Sequence, residues 1–146
     1  MTAGKYNFLV EQGAQHEVTF RYKLSDGSYQ NLDNYKVRMA VKNHITDTTF
    51  VYRASSDRDE AGHANDFAIV ADQGTAANTG KFILTIPTNT TTNFGFNQGV
   101  YDLELVDPND VVIRLLEGKF RVSPQVSVQW LRLQLKLRNQ LRTLLK

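Results

Sequence analysis

Hydrophobic and polar positions alternate along most of the first 122 residues. In "HEVTFRYKL", the even positions from Val18 to Leu24 are apolar, and the odd positions from Glu17 to Lys23 are polar or charged. The same period of two recurs in "KVRMAVK" and in "KFILTIP". This period is typical of a β-strand that buries one face. The pattern therefore predicts a series of half-buried strands.

Turn-forming residues separate these runs at short intervals. "SDGS" follows the first alternating run, and its Gly27 can adopt a positive φ. "FAIVA" is predicted as a buried strand, and "VYDLELVD" and "VVIRLLEGKFRV" as a hairpin joined through "PND". Gly118 within the last run predicts a bulge or a close backbone approach. About eight short strands with regular turns predict a mainly β, antiparallel sandwich.

One polar stretch between strands predicts a different local structure. "TNTTTNFGFNQG" is predicted to contain one helical turn, capped by Thr88 or Asn89. Its two aromatic residues, Phe94 and Phe96, are ambiguous. Either one of them covers the core, or both are exposed and bind a ligand such as a carbohydrate.

The C-terminal segment "VSVQWLRLQLKLRNQLRTLLK" follows Pro124 and breaks the β pattern. Its apolar residues at helical spacing are Trp130, Leu133, Leu137, Leu141 and Leu144. The segment lacks Gly and Pro and is rich in helix formers, so we predict an amphipathic α-helix from about Ser127. Residues 126–137 also alternate, and as a strand they would extend a neighbour's sheet. The predicted domains are a sandwich over residues 1–123 and a helix over residues 124–146.

Charge is distributed unevenly along the chain, although the net charge is only +2. Residues 118–146 contain seven Lys or Arg and no Asp or Glu. Residues 1–117 therefore hold the other ten basic residues and all fifteen acidic ones, a net charge of −5. The basic residues beside the apolar stripe are Arg132, Lys136, Arg138 and Arg142. An acidic body thus precedes a basic, amphipathic tail.

The predicted helix is too short to be stable alone in water, so its apolar stripe needs a partner. A basic helix with Leu and Trp on one side also resembles membrane-surface helices, and Lys and Arg can contact phosphates of nucleic acids. However, ten of the last 21 residues are apolar, which favours protein assembly. We predict a homo-oligomer, with a trimer favoured, and neither a nucleic-acid partner nor a membrane partner.

No constellation of residues points to catalysis or to a cofactor. The histidines are His16, His44 and His63, and none has metalloprotease spacing. Asp57 and Asp59 have the spacing that begins a calcium loop, but the position of the bidentate glutamate is Ala68. The chain has no cysteine and no phosphate-binding or dinucleotide motif. We therefore predict no enzyme activity, no cofactor and no metal.

Two long stretches resemble a known family. "YNFLVEQGAQHEVTFRYKLSDGSYQNLDNYKVRMAVK" resembles the opening of small immunoglobulin-like domains in structural proteins of tailed phages and prophages. "GVYDLELVDPNDVVIRLLEGKFRVSPQV" resembles their closing hairpin. The chain is also similar, more loosely, to the N-terminal domain of siphophage upper baseplate proteins. The resemblance covers about residues 5–126 and excludes the tail.

The resemblance implies an immunoglobulin-like β-sandwich and a place in the virion, after synthesis in the host cytoplasm. It brings no catalytic residues. We expect a structural protein of the tail, baseplate or fibre-connecting region whose partners are other phage structural proteins. A capsid or neck decoration protein, or a module that binds carbohydrate or a cell surface, is the alternative.

Overall fold

The computed structural model of the chain describes residues 2–57, 68–126 and 138–144. The first two of these ranges contain nine strands and one short α-helix, and residues 138–144 are helical. The strands are β1 (Gly4–Lys5), β2 (Phe8–Glu11), β3 (His16–Arg21), β4 (Lys36–Lys42), β5 (Tyr52–Ser55), β6 (Ile69–Val70), β7 (Lys81–Ile86), β8 (Gln98–Val106) and β9 (Val112–Ser123), and the helix α1 (Thr88–Thr92) follows β7. The prediction of a mainly β protein is confirmed.

The strands form two sheets. The larger sheet has the order β1-β9-β8-β4-β5, and β2 also pairs with β9. The smaller sheet has the order β3-β7-β6. The pairs of β1 and β2 with β9 are parallel, and the other pairs are antiparallel. The two N-terminal strands therefore lie beside the last strand of the body.

The core lies between the two sheets, because alternate residues from both sheets belong to one buried cluster. On β4 and β7 the buried apolar residues are Val37, Met39 and Val41 and Phe82, Leu84 and Ile86, respectively. These are the apolar positions of the alternating runs. Successive side chains of a strand point to opposite faces, so the polar positions of the same runs face outward.

Phe8 on β2 joins the two layers of the core. Its side chain is buried, and its ring centroid lies 4.8 Å from that of Tyr101 and 5.4 Å from that of Phe120. Both of these residues belong to the larger sheet. Phe20 on the smaller sheet lies 6.2 Å away, with its ring nearly edge-on. Phe8 thus contacts aromatic rings of both sheets.

A close backbone approach explains Gly118. A Cβ atom on Gly118 would lie 2.2 Å from the carbonyl oxygen of Tyr6. The Tyr101 hydroxyl donates a hydrogen bond to that oxygen at 2.7 Å, and the Lys119 amide donates to Asn7 Oδ1 at 3.0 Å. Burial raises the pKa of Tyr101, so its hydroxyl stays protonated and can donate. The predicted close approach at Gly118 is confirmed.

The predicted hairpin of β8 and β9 is also confirmed. Its register shifts between Leu103, which pairs with Leu116, and Glu104, which pairs with Arg114. Leu115 is therefore the extra residue of a β-bulge. The turn contains Asp110 at a φ of 63°.

The prediction of a buried strand at "FAIVA" was only partly right. The strand β6 contains only Ile69 and Val70, and Val70 is exposed whereas Ile69 is fully buried. Among the described strands, β6 pairs only with β7 at the edge of the smaller sheet. One of its faces therefore meets solvent.

The predicted cap of the short helix was wrong. The helix α1 is present, but Thr88 and Asn89 lie inside it and Pro87 occupies the N-cap position. The amides of Thr90 and Thr91 donate to the Pro87 carbonyl oxygen. The first turn therefore closes on a backbone carbonyl without help from a capping side chain.

Candidate functional site

The candidate site is the C-terminal segment and the point where it leaves the body. Residues 138–144 are helical, and all seven are exposed. Leu141 is 59% exposed and Leu144 is 81% exposed. Because they are three positions apart, both lie on one side of the helix. No other described part of the chain covers this apolar side.

The same helical residues carry positive charge. Arg138 and Arg142 are exposed, and residues 138–144 include no acidic residue. Cations near the C-terminal end of a helix interact favourably with its dipole. The Thr143 hydroxyl donates to the Asn139 carbonyl oxygen at 3.0 Å. This part of the tail therefore presents leucines and guanidinium groups to solvent together.

The other predicted assembly residues lie outside the described residues. These are Trp130, Leu133, Leu137, Arg132 and Lys136. Val126 is helical and exposed, and the rest of residues 126–137 is outside the description. The choice between helix and strand for those residues therefore stays a prediction.

Gln12 holds the chain where it leaves β9. Its Oε1 accepts a hydrogen bond from the Gln125 amide at 2.9 Å. Its Nε2 lies 3.2 Å from the carbonyl oxygen of Thr92 and 3.1 Å from that of Phe94, and donates to both. The Gln12 amide donates to the Ser123 carbonyl oxygen at 2.9 Å. One residue thus links the turn after β2, the end of α1 and the start of the C-terminal segment.

Gly13 and Thr91 complete this contact. Gly13 has a φ of +85°, and the nearest atom of the Gln125 side chain would lie 2.0 Å from a Cβ at this position. The Gly13 amide donates to the Thr91 hydroxyl at 3.1 Å, and that buried hydroxyl donates to the Ala14 carbonyl oxygen at 2.8 Å. We call Gln12, Gly13, Thr91 and Gln125 the exit cluster. Local sequence does not distinguish these residues from other polar turn residues, so sequence analysis missed them.

His16 lies at the start of β3, next to the turn of the exit cluster. Burial lowers the pKa of His16, and the negative charge of Glu11 opposes this shift. Its ring lies 5.9 Å from the ring of Phe8, nearly edge-on. The His16 imidazole therefore packs against the core ring of Phe8.

The carboxylate of Asp57 and the backbone of His44 have structural partners. The His44 amide donates to Asp47 Oδ2 at 3.0 Å, within one loop. Asp57, the first residue of the possible calcium loop, lies 3.0 Å from Lys36 Nζ. Asp59 of the same loop and the third histidine, His63, lie outside the described residues. Within residues 2–57, 68–126 and 138–144, no three His, Asp or Glu residues are grouped as metal ligands would be.

The two ambiguous aromatic residues pack on the core. Phe94 is buried, and its ring centroid lies 6.0 Å from that of Phe120. Phe96 is half-buried, and its ring lies 5.9 Å from the same Phe120. The prediction that one of the pair covers the core is confirmed for Phe94. These rings therefore do not form the open stacking surface that a carbohydrate-binding module would need here.

Replacing Gln12 with alanine is expected to loosen the start of the tail. The substitution removes three hydrogen bonds, and each such bond contributes about 0.5–1.5 kcal/mol to stability. We expect a loss of about 2 kcal/mol in the free energy of unfolding, measured in urea. Hydrogen exchange at the Gln125 amide should also become faster.

Gln12→Glu is the matched control for this prediction. A glutamate keeps an acceptor for the Gln125 amide but cannot donate to the carbonyls of Thr92 and Phe94 when ionised. It should therefore preserve more protection at Gln125 than alanine does. Equal exchange rates in the native and Gln12→Ala proteins would show that Gln12 does not hold the exit.

The chain matches no model of a known protein family and no curated protein sequence. In the part of the chain that the structure describes, every helix is too short or too polar to cross a membrane.

Proposed function

We propose that this chain is a structural protein of a tailed-phage virion, in the tail, baseplate or fibre-connecting region. In this proposal the β body docks on the particle, and the C-terminal helix joins copies of the chain. The exposed pair Leu141 and Leu144 carries the proposal, because no other described residue covers them. The β-rich fold and the family resemblance support the virion role.

We infer that the body is an immunoglobulin-like sandwich. In such folds one sheet contains strands B, E and D, and the other contains C, F and G with an optional C′. The order β3-β7-β6 fits B-E-D, and the order β5-β4-β8-β9 fits C′-C-F-G. This correspondence, together with a core shared by both sheets, supports the inference.

Self-association would remove the exposed leucines from water. Full burial of one leucine side chain contributes about 1.5–3 kcal/mol. A three-helix bundle, the favoured assembly, would place the apolar stripes inside and the guanidinium groups of Arg138 and Arg142 at the flanks. Those flanks would then meet acidic surfaces of neighbouring structural proteins.

The exit cluster supports a tail that leaves the body in a limited range of directions. Gln12 holds the Gln125 backbone against the end of α1, so the chain leaves the body from a fixed point. A fixed exit limits the directions in which the tail can start. Fewer starting directions reduce the entropy that assembly must overcome.

The assembly part is tested by light scattering coupled to size-exclusion chromatography. We expect the full chain to be an oligomer, with a trimer favoured, and a chain that ends at Val126 to be a monomer. The shortened chain retains the hydrogen bond between Gln12 and Gln125, so its body stays complete. A monomeric full chain would rule out self-assembly through the tail.

The virion part is tested by finding the protein in particles. Tails and empty heads are separated from lysates of the producing cells, and each fraction is analysed by mass spectrometry. The proposal requires the protein in the tail fraction. Presence in empty heads alone would favour a capsid or neck decoration protein instead.

A further inference from the structure

The outer face of the larger sheet contains a groove of about 440 Å³. It lies across β4, β8 and β9, beside the loop after β4. We define the outer groove by the residues that carry the argument below, Lys42, Ile45, Phe50, Val100 and Lys119. All of them belong to the body, so the groove is separate from the tail and its exit cluster.

Two lysines flank an exposed valine in the outer groove. Strand register places Lys42 of β4 opposite Val100 of β8, and Val100 opposite Lys119 of β9. Side chains that face each other on neighbouring strands have Cβ atoms about 5 Å apart. The outer groove therefore presents an apolar floor between two ammonium groups.

Two more apolar side chains form one wall of the groove. Ile45 is 81% exposed and Phe50 is 45% exposed. Lys42 Nζ lies 5.2 Å from the centroid of the Phe50 ring, and the Arg53 guanidinium lies 4.9 Å from it. These cation–π contacts keep the ring beside the lysine. The wall therefore offers apolar contact immediately next to positive charge.

The carboxylates that line the groove already have cationic partners. Arg114 lies 3.6 Å from Asp102 and 3.6 Å from Glu117, and Lys5 forms an ion pair with Glu117. The hydrogen bond and charge of Lys5, together with Arg114, hold the pKa of Glu117 below its ordinary value. Lys5 and Arg114 therefore offset the two negative charges of Asp102 and Glu117.

Among the described residues, the two lysines of the outer groove are not paired with opposite charges in the way that its carboxylates are. Within the described part of the chain, neither Lys42 nor Lys119 forms an ion pair. The lining as a whole holds four cations, Lys5, Lys42, Arg114 and Lys119, and two carboxylates, Asp102 and Glu117. Its net charge is therefore +2, although residues 1–117, which supply all of the lining except Gly118 and Lys119, have a net charge of −5.

We propose that the outer groove binds an acidic segment of a partner protein, one that carries a carboxylate on either side of an apolar side chain. The apolar side chain lies on Val100 against Phe50 and Ile45, and the carboxylates pair with Lys42 and Lys119. The basic tail of another copy does not fit, because its Lys and Arg residues would meet these two lysines. Nucleic acid fits poorly, since its affinity comes from many phosphate contacts and only two cations are available here.

The test uses the full chain and a short fluorescein-labelled peptide in which glutamate, leucine and glutamate occupy every second position and serine the positions between, so that an extended peptide presents all three side chains on one face. Binding is measured by fluorescence polarisation at low salt, and backbone amide shifts are recorded by NMR. We expect the peptide to bind, to shift the amides of Val100 and Lys119, and to lose affinity as salt rises. The same peptide with lysine in place of glutamate should not bind.

Variants of the groove and one matched control make the test specific. Lys42→Glu combined with Lys119→Glu should weaken binding by about tenfold or more, because each exposed ion pair contributes a factor of a few and its reversal adds repulsion. Ile45→Asp should also weaken binding, and its high exposure means that the fold is unaffected. Lys23→Glu reverses an exposed lysine outside the groove and should change the affinity less than twofold.

Three results would overturn the proposal. The first is that the double variant binds the acidic peptide as tightly as the native chain does. The second is that the lysine peptide binds the native chain as tightly as the acidic peptide does. The third is that the amide shifts lie away from β8 and β9. Vesicles of phosphatidylserine and phosphatidylcholine are a further probe. Binding to such vesicles without binding to the peptide would assign the groove to a lipid surface instead. None of these results depends on whether the tail self-associates.

Discussion

Phe8→Ala is expected to lower the free energy of unfolding by about 3–5 kcal/mol. The side chain is buried, and its ring contacts those of Tyr101 and Phe120 on the larger sheet and of Phe20 on the smaller one. Alanine leaves a cavity where the sheets meet and removes several aromatic contacts. A domain of this size is stable by about 5–15 kcal/mol, so the loss is large. Urea unfolding followed by far-UV circular dichroism measures it.

Phe8→Leu and Phe50→Ala are the controls for this prediction. Leucine keeps most of the apolar volume, so Phe8→Leu should cost less than alanine and should remain folded if alanine does not. Phe50→Ala removes the same side chain from an exposed position and should cost about 1 kcal/mol or less. Equal losses for Phe8→Ala and Phe50→Ala would mean that Phe8 is not a central core residue.

Local alternation was sufficient to predict the strands that bury one face. On β4 the residues Val37, Met39 and Val41 face the core, and Lys36 and Lys42 do not, as the period of two requires. The hairpin of β8 and β9 was predictable because its two apolar runs are joined by a recognisable turn. Where only one face of a strand meets the core, side-chain polarity identifies that face.

Pairing between distant segments was not predictable in this way. The parallel pairing of β2 with β9 joins Phe8 to Phe120 in register, and no local period encodes it. The contacts of buried Gln73 are likewise not encoded by any local period of the sequence. Its Oε1 accepts from the amides of Leu32 and Gly80 at 3.0 and 2.7 Å, and its Nε2 donates to the Lys81 carbonyl oxygen at 2.8 Å. In the sequence, Gln73 is one polar residue of a turn-rich stretch.

The candidate site was predictable from the sequence only in part. Helical spacing picked out Leu141 and Leu144, and in the structure both are exposed on residues that are helical. The exit cluster was missed because Gln12 and Gln125 are 113 positions apart in the chain. The outer groove was missed because Lys42, Val100 and Lys119 come together only through strand register.

The two proposed interaction surfaces have the same sign of charge. The outer groove has a net charge of +2, and residues 118–146 contain no acidic residue. A groove of one copy therefore repels the tail of another, which disfavours head-to-tail chains built from these two surfaces. In this proposal, tails associate with one another through apolar contact. Both basic surfaces can still bind acidic partners.

Leu141→Asp combined with Leu144→Asp is expected to dissociate the proposed oligomer into single chains. Both leucines are exposed in the single chain, so the fold of the body should not change. Each buried leucine contributes about 1.5–3 kcal/mol, and an unpaired buried carboxylate adds a further cost. We therefore expect self-association to weaken by about 100-fold or more. Light scattering over a range of protein concentrations measures the change.

Asn139→Asp combined with Thr143→Asp is the matched control, because it adds the same charge to the opposite side of the same helix. This control should remain an oligomer. Raising the salt concentration should strengthen the native oligomer, since the basic flanks of neighbouring tails repel each other and salt screens that repulsion. An oligomer held by ion pairs would weaken instead. Full assembly of the leucine variant would show that copies associate through a surface other than this stripe.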